Sequence, residues 1–136
     1  PRLLAQTVQP IGGTFTDIGI ETMGHTHITT AADMAQLFRR IFVEMETDPV
    51  CRMIWLWLEN NLRNNRIPGR LPSEIRVAHK TGTLDEVVND AGIVLARSPY
   101  VLVLLSNDEH DVATASDEMA FLSLRIFEVI SGHPRG

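Results

Sequence analysis

Lys80-Thr81-Gly82-Thr83 is the stretch of this chain best suited to chemistry. It closes a short alternating segment, Ile75 to Lys80, and a turn-like loop follows it. A cation, two hydroxyls and a residue without a side chain therefore fall together at the end of an expected strand. A strand edge offers unpaired N–H and C=O groups to an extended acyl-amide ligand. A fixed N–H aimed at a developing oxyanion is worth roughly 2.7–4 kcal/mol where such donors have been deleted from enzymes. His79 shares a strand face with Val77 and reads as a packed or hydrogen-bonded histidine rather than a catalytic one. His25 and His27 lie on one face of an extended segment, but no Cys or third His follows at ligand spacing, so no metal site is expected. No cofactor is expected either, and Met34, Met45 and Met53 read as core residues.

Several elements must position that stretch. Residues 1–28 read as a loop-rich segment, punctuated by Pro10, Gly12, Gly13, Gly19 and Gly24. Residues 29–66 read as a helical pair. Thr30-Ala31-Ala32-Asp33 has capping-box spacing, and Met34, Leu37, Phe38, Ile41, Phe42 and Met45 form one helical stripe. Asp48-Pro49 opens a second helix whose body, Val50 to Leu62, is apolar almost all round. Trp55 and Trp57 fall on different faces, which predicts packing on more than one side. Residues 74–107 read as three strands: Ile75 to Lys80, Ala91 to Ala96, and Tyr100 to Ser106, with short connections that imply antiparallel pairing. The third is apolar on both faces and is expected to be covered on both. Residues 111–131 read as a C-terminal helix with a stripe of Val112, Ala115, Met119, Leu122, Ile126 and Val129, widened by Leu124 and Phe127. Asp108, Glu109 and Asp111 precede it and complement its N-terminal dipole. The expected fold class is α+β: a three-stranded antiparallel sheet with the last helix on one face and the helical pair near the other.

Composition narrows the functions. The chain has 136 residues, 44% of them hydrophobic and 21% charged, which suits one globular domain or part of one. A net charge of −5 gives no footprint for nucleic acid, and no polybasic stretch suggests a membrane surface. The apolar runs Ile54 to Leu58 and Val101 to Leu105 are too short to span a bilayer. Cys51 is the single cysteine; it excludes an internal disulfide and reads as a buried small hydrophobe. Pro1 is not followed by a signal-peptide pattern, so any targeting information is expected upstream.

The motifs also occur in a telling order. Thr29-Thr30-Ala31-Ala32-Asp33-Met34-Ala35 comes first, then Trp57-Leu58-Glu59-Asn60, Leu71-Pro72, Lys80-Thr81-Gly82, Asn89-Asp90 and the terminal helix. From about Thr29 to Ile130 the chain resembles the C-terminal half of a serine beta-lactamase of the class A type, within the penicillin-binding protein superfamily. The resemblance implies that Lys80 attracts the substrate carboxylate and supports proton movement at the nucleophile. It implies that the Thr81 and Thr83 hydroxyls bind that carboxylate. Gly82 would let substrate lie close to the strand, and the Thr83 N–H would supply one oxyanion donor. The implied substrates are beta-lactams or the D-alanyl peptides of peptidoglycan, and the implied location is extracytoplasmic.

The departures are as informative. No serine here has lysine three residues on: Ser73, Ser98, Ser106, Ser116 and Ser123 are followed by Arg76, Val101, Glu109, Met119 and Ile126, and Ser131 by Pro134. Ser106-Asn107-Asp108 lies on the wrong side of Lys-Thr-Gly to be the family's Ser-Asp-Asn loop. Without a nucleophile there is no acyl-enzyme, so this chain alone is expected to be inactive. The family's Glu-x-x-Leu-Asn loop is missing; Glu21 is the one glutamate in that region and the candidate general base, set against a plain surface-loop role. Lacking that base, an acyl-enzyme would be long-lived, which points towards a penicillin-binding peptidase or a divergent hydrolase. No arginine stands beside Asn89-Asp90 in sequence to clamp a substrate carboxylate. In the family the last strand pairs with the first strand of the chain. Tyr100 to Ser106 is therefore expected to be an apolar edge, covered by a missing N-terminal half or a second chain. The alternative is a non-catalytic binding or interaction domain that kept the scaffold.

Overall fold

A computed structural model describes residues 29–132. Glu21, His25, His27 and the loop-rich 1–28 segment lie outside the described residues. The first helix, α1 (Ala31–Glu44), starts where its cap chemistry places it. Thr30 is extended and its hydroxyl accepts from the Asp33 N–H at 3.1 Å. The second, α2 (Pro49–Glu59), is capped by Asp48, whose carboxylate accepts from the Val50 and Cys51 N–H groups at 2.7 and 3.2 Å. Proline stands at its first turn, where its missing N–H leaves nothing unpaired.

Helix α2 stops at Glu59, three residues short of Leu62. The Asn60 amide takes the Leu56 carbonyl at 2.7 Å, and the Asn61 side chain reaches away to the carbonyl of His79 at 3.0 Å. These local amide bonds compete with the helix and end it. The expectation of packing on several sides is corrected too. Trp55 is buried, with its ring centroid 5.5 Å from that of Phe42, whereas Trp57 is 66% exposed. Among the described residues α2 buries one face.

Three antiparallel strands follow: β1 (Val77–Leu84), β2 (Val87–Val94) and β3 (Tyr100–Asn107), in the order β1-β2-β3. Asp85 and Glu86 alone connect β1 to β2, with Glu86 in the left-handed region at φ 60°. Strand β2 begins four residues before the expected Ala91 and ends two before Ala96. Periodicity reads only the apolar run, but Asn89 and Asp90 are strand residues because their polar groups find partners inside the fold. In the register, Lys80 stands opposite Ala91 and Gly82 opposite Asn89.

The sheet is the middle layer of three. Ala78, Ala91, Ile93, Val101 and Val103 face α1 and α2, packing with Phe38, Ile41, Trp55 and Leu58. Val77, Val94, Leu102 and Leu104 face the other way, towards Ile67 and the Ile126 and Phe127 side chains of α3 (Val112–Ile130). Strand β3 thus has apolar cover on both faces, as its pattern predicts. It is also an outer strand of the described sheet.

The buried stripe of α3 differs from the expected one. Leu122 and Val129 are 47% and 71% exposed, while Ala115, Ser116, Met119, Ala120 and Ser123 are buried. Small side chains let the helix approach the loop before β1: a Cβ added to Gly69 would meet the Cβ of Ala120 at 3.1 Å. Hydropathy alone selects the largest apolar residues and misses a face chosen for close approach. Asp111 caps this helix, its carboxylate accepting from the Ala113 N–H at 2.9 Å and the Thr114 hydroxyl at 2.6 Å. Among the described residues no helix is long and apolar enough to cross a membrane.

Candidate active-site strand and its arginine

Strand β1 is the other outer strand of the described sheet, and a groove of about 980 Å³ runs along it. One wall is residues 79–84 of the strand; the other is Trp57, Leu58, Asn61 and Leu62 from the end of α2 and the loop after it. Backbone groups of a strand alternate in direction. The His79 carbonyl faces Asn61, and Arg76 O accepts from Leu95 N on the β2 side. The even residues of β1 therefore pair with β2, and the N–H and C=O groups of Thr81 and Thr83 turn towards the groove. Lys80 is exposed, and its ammonium donates to the Thr81 carbonyl. The four residues singled out in the sequence, Lys80, Thr81, Gly82 and Thr83, are thus brought together along one groove.

A fifth residue joins them that sequence reasoning missed. Arg66 lies in the loop between α2 and β1 and is only 3% exposed. Its guanidinium donates to the Gly82 carbonyl at 2.9 Å, the Asn89 carbonyl at 2.6 Å, Thr83 Oγ1 at 2.5 Å and Ser116 Oγ at 3.2 Å. The sequence shows no arginine beside Asn89-Asp90; the fold places one there from 23 residues upstream. Its one local signal is the isolated Ile67 that follows it in a polar loop, because Ile67 is fully buried and pulls Arg66 inward. Burial lowers the Arg66 pKa and the nearby Asp90 carboxylate raises it in return, with Arg63 adding a smaller downward push. A guanidinium stays charged under such shifts. Since Thr83 Oγ1 accepts from Arg66, its hydroxyl proton is free to donate to a ligand in the groove.

Beneath the strand sits a buried polar cluster. His79 Nδ1 lies 2.9 and 3.1 Å from the two oxygens of Asp90, and His79 Nε2 lies 3.0 Å from Asn64 Oδ1. Asp90 Oδ2 also accepts from the Ile67 N–H at 3.0 Å. His79 is therefore the hydrogen-bonded histidine its strand position predicts. Glu44, Asp48 and Cys51 bring three possible metal-binding atoms together away from the groove. All three are already engaged: Glu44 by Arg40 at 3.0 Å, Asp48 as the α2 cap, and the Cys51 thiol by Glu44 at 3.9 Å.

The layered fold is shared with known proteins. A beta-lactamase from Sphaerobacter thermophilus DSM 20745 superposes with a TM-score of 0.83 at 18% identity, over 98% of this chain and 54% of its own. PBP-A superposes at 0.82 with 25% identity, over 95% of this chain and 51% of its own, and a mutant of it has been solved as an acyl-enzyme complex with penicillin G. An ancestral class A beta-lactamase gives 0.76 with 25% identity, over 93% and 54%. The chain spans about half the length of these structures. No curated protein sequence matches it significantly. The model of the beta-lactamase enzyme family matches residues 4–130, and the chain belongs to that family.

Proposed function

We propose that this chain supplies the substrate-binding strand of a serine hydrolase that acts on beta-lactams or D-alanyl-peptide amides by acylation and deacylation. One observation carries the reading: Lys80 and Thr83 line the groove at the open edge of β1, and the nearly buried Arg66 guanidinium reaches the Thr83 hydroxyl. Two cations and a hydroxyl whose proton is free suit a carboxylate, and charge-assisted hydrogen bonds of that kind are the strong ones. Thr81 adds a second hydroxyl on the same strand, and Gly82 lets an extended substrate lie against the backbone. The Thr83 N–H, turned to the groove, is placed to donate to an oxyanion. The nucleophile belongs to the other half of a longer protein, and that half, or a second chain, covers the outer edge of β3. Glu21 is the general base in this reading, and the location is extracytoplasmic, as is usual for the family.

Labelling of the full-length protein with a fluorescent penicillin tests this. A covalent adduct on a serine of a Ser-x-x-Lys sequence, lost on acid-stable blocking of that serine, is the expected result. No adduct, with no Ser-x-x-Lys upstream, overturns it in favour of a non-catalytic binding domain.

A further inference from the structure

The His79–Asp90 pair is an expensive way to hold two strands together. Both side chains are fully buried, and removing a charge from water is repaid only by close partners. Every partner in the cluster leads to one loop. Asn61 bonds the His79 carbonyl, Asn64 bonds the His79 ring, and the Ile67 N–H bonds Asp90. The loop is thus fastened at residues 61, 64 and 67, and Arg66 stands between the last two fasteners. The two strands also approach closely here, since a Cβ on Gly92, directly opposite, would meet the His79 Cβ at 2.5 Å.

The His79 ring is held on both sides, by Asp90 at Nδ1 and by Asn64 at Nε2. The ring itself has no exposed surface and cannot touch a ligand in the groove. Its influence must pass through the loop. We infer that His79 is a positioning residue: through Asp90, which accepts from the Ile67 N–H, it fixes the 61–67 loop so that the Arg66 guanidinium stays forked over Gly82, Asn89 and Thr83. The inference rests on the reading of Arg66 as part of the carboxylate site. A loop free to slip by a fraction of an ångström would keep its cation but lose its aim: four of the five guanidinium N–H groups are spent on Gly82, Asn89, Thr83 and Ser116, and the direction of the fifth depends on those bonds.

Three variants of the full-length protein separate positioning from mere stability. His79→Asn keeps an N–H near the place of Nδ1 and should rescue; His79→Gln and His79→Leu lose it. The first readout is the Arg66 Nε–H resonance in protein labelled with 15N-arginine, which reports the bond to Ser116 whatever the enzyme does. It should shift and lose exchange protection in His79→Gln and His79→Leu and stay in place in His79→Asn. The second is acylation kinetics. For a carboxylate-bearing penicillin, the apparent dissociation constant should rise about tenfold in His79→Gln, the equivalent of about 1.4 kcal/mol. The saturating acylation rate should hold within about twofold, well under the tenfold that 1.36 kcal/mol off the barrier would give. The carboxyl methyl ester of the same penicillin should show no change.

An unmoved Arg66 resonance in His79→Gln overturns the inference, as does an equal loss for acid and ester. If Arg66→Met leaves binding of the acid unchanged, the carboxylate reading of the site fails, while the resonance still decides what His79 positions.

Discussion

Replacing Arg66 with methionine keeps the length and the apolar stem and removes only the fork. Four oxygens lose a donor: Gly82 O, Asn89 O, Thr83 Oγ1 and Ser116 Oγ. Gly82 and Asn89 are paired across the β1–β2 ladder, so their carbonyls keep the ladder and lose a second partner only. Thr83 is exposed and water replaces the arginine there. The Ser116 hydroxyl is 2% exposed and is left unpartnered, a loss of about 1–3 kcal/mol for a buried polar group. Asp90 loses a nearby cation but retains His79 and the Ile67 N–H. Against these losses, a charge no longer has to be desolvated at a nearly buried site. The net expectation is a destabilisation of about 2–3 kcal/mol. Urea unfolding followed by fluorescence of Trp55 and Trp57 reads it directly. With a slope of about 1–3 kcal/mol per molar urea, the midpoint should fall by roughly 1–2 M at an unchanged slope. Arg66→Lys should recover less than half of the shift, since an ammonium cannot fork across four oxygens. A midpoint within about 0.3 M of the parent, well inside the expected shift, would refute the reasoning that Arg66 fastens loop to sheet.

Other expectations follow from the same geometry. Gly92→Ala should lower the thermal midpoint by roughly 8 °C or more, an overpacking loss of about 2–3 kcal/mol, because the atoms it meets at 2.5 and 2.7 Å belong to the adjoining strand. A melting curve matching the parent would mean that β1 and β2 lie further apart. The Asp111 carboxyl is held below its usual range, first by the Thr114 hydroxyl and then by the Ala113 and Thr114 N–H groups. Its contribution is therefore present above the unfolded value of about 3.9 and lost as pH falls through the depressed folded value. Asp111→Asn should flatten that acid limb of a midpoint-against-pH plot; an unchanged limb contradicts the cap. Burial above all, with Asp48 and Glu44 adding to it, pushes the Cys51 thiol up. Its reaction with a disulfide reagent at mildly alkaline pH should be slow in the folded protein and fast once urea unfolds it, and equal rates would contradict that burial.

What could be read in the sequence was what local chemistry decides. Thr30 and Asp48-Pro49 mark their helices because a cap acts within three residues. Lys80-Thr81-Gly82-Thr83 could be placed on a strand end because alternation and the following turn are local signals too. Arg66 could not be placed, since its partners lie 16, 17, 23 and 50 residues away and the one signal in its loop, Ile67, marks burial without naming them. The start of β2 was hidden for a related reason. Asn89 and Asp90 fall outside the apolar run, and their place in the strand rests on His79, Ile67 and Ser106, which are folded against them. The face of α3 was misjudged because Ser116 and Ser123 are buried by closeness of approach, a property that hydropathy does not encode.

The most direct measurement is a crystal structure of the full-length protein acylated by a penicillin. The carboxylate should lie within hydrogen-bond reach of the Thr83 hydroxyl and close to the Lys80 and Arg66 cations, with the ligand amide alongside β1 and the acyl oxygen on the Thr83 N–H. A penicillin bound with its carboxylate away from β1, and Arg66 still closed on Thr83 without it, would contradict the assignment of this strand as the substrate-binding wall.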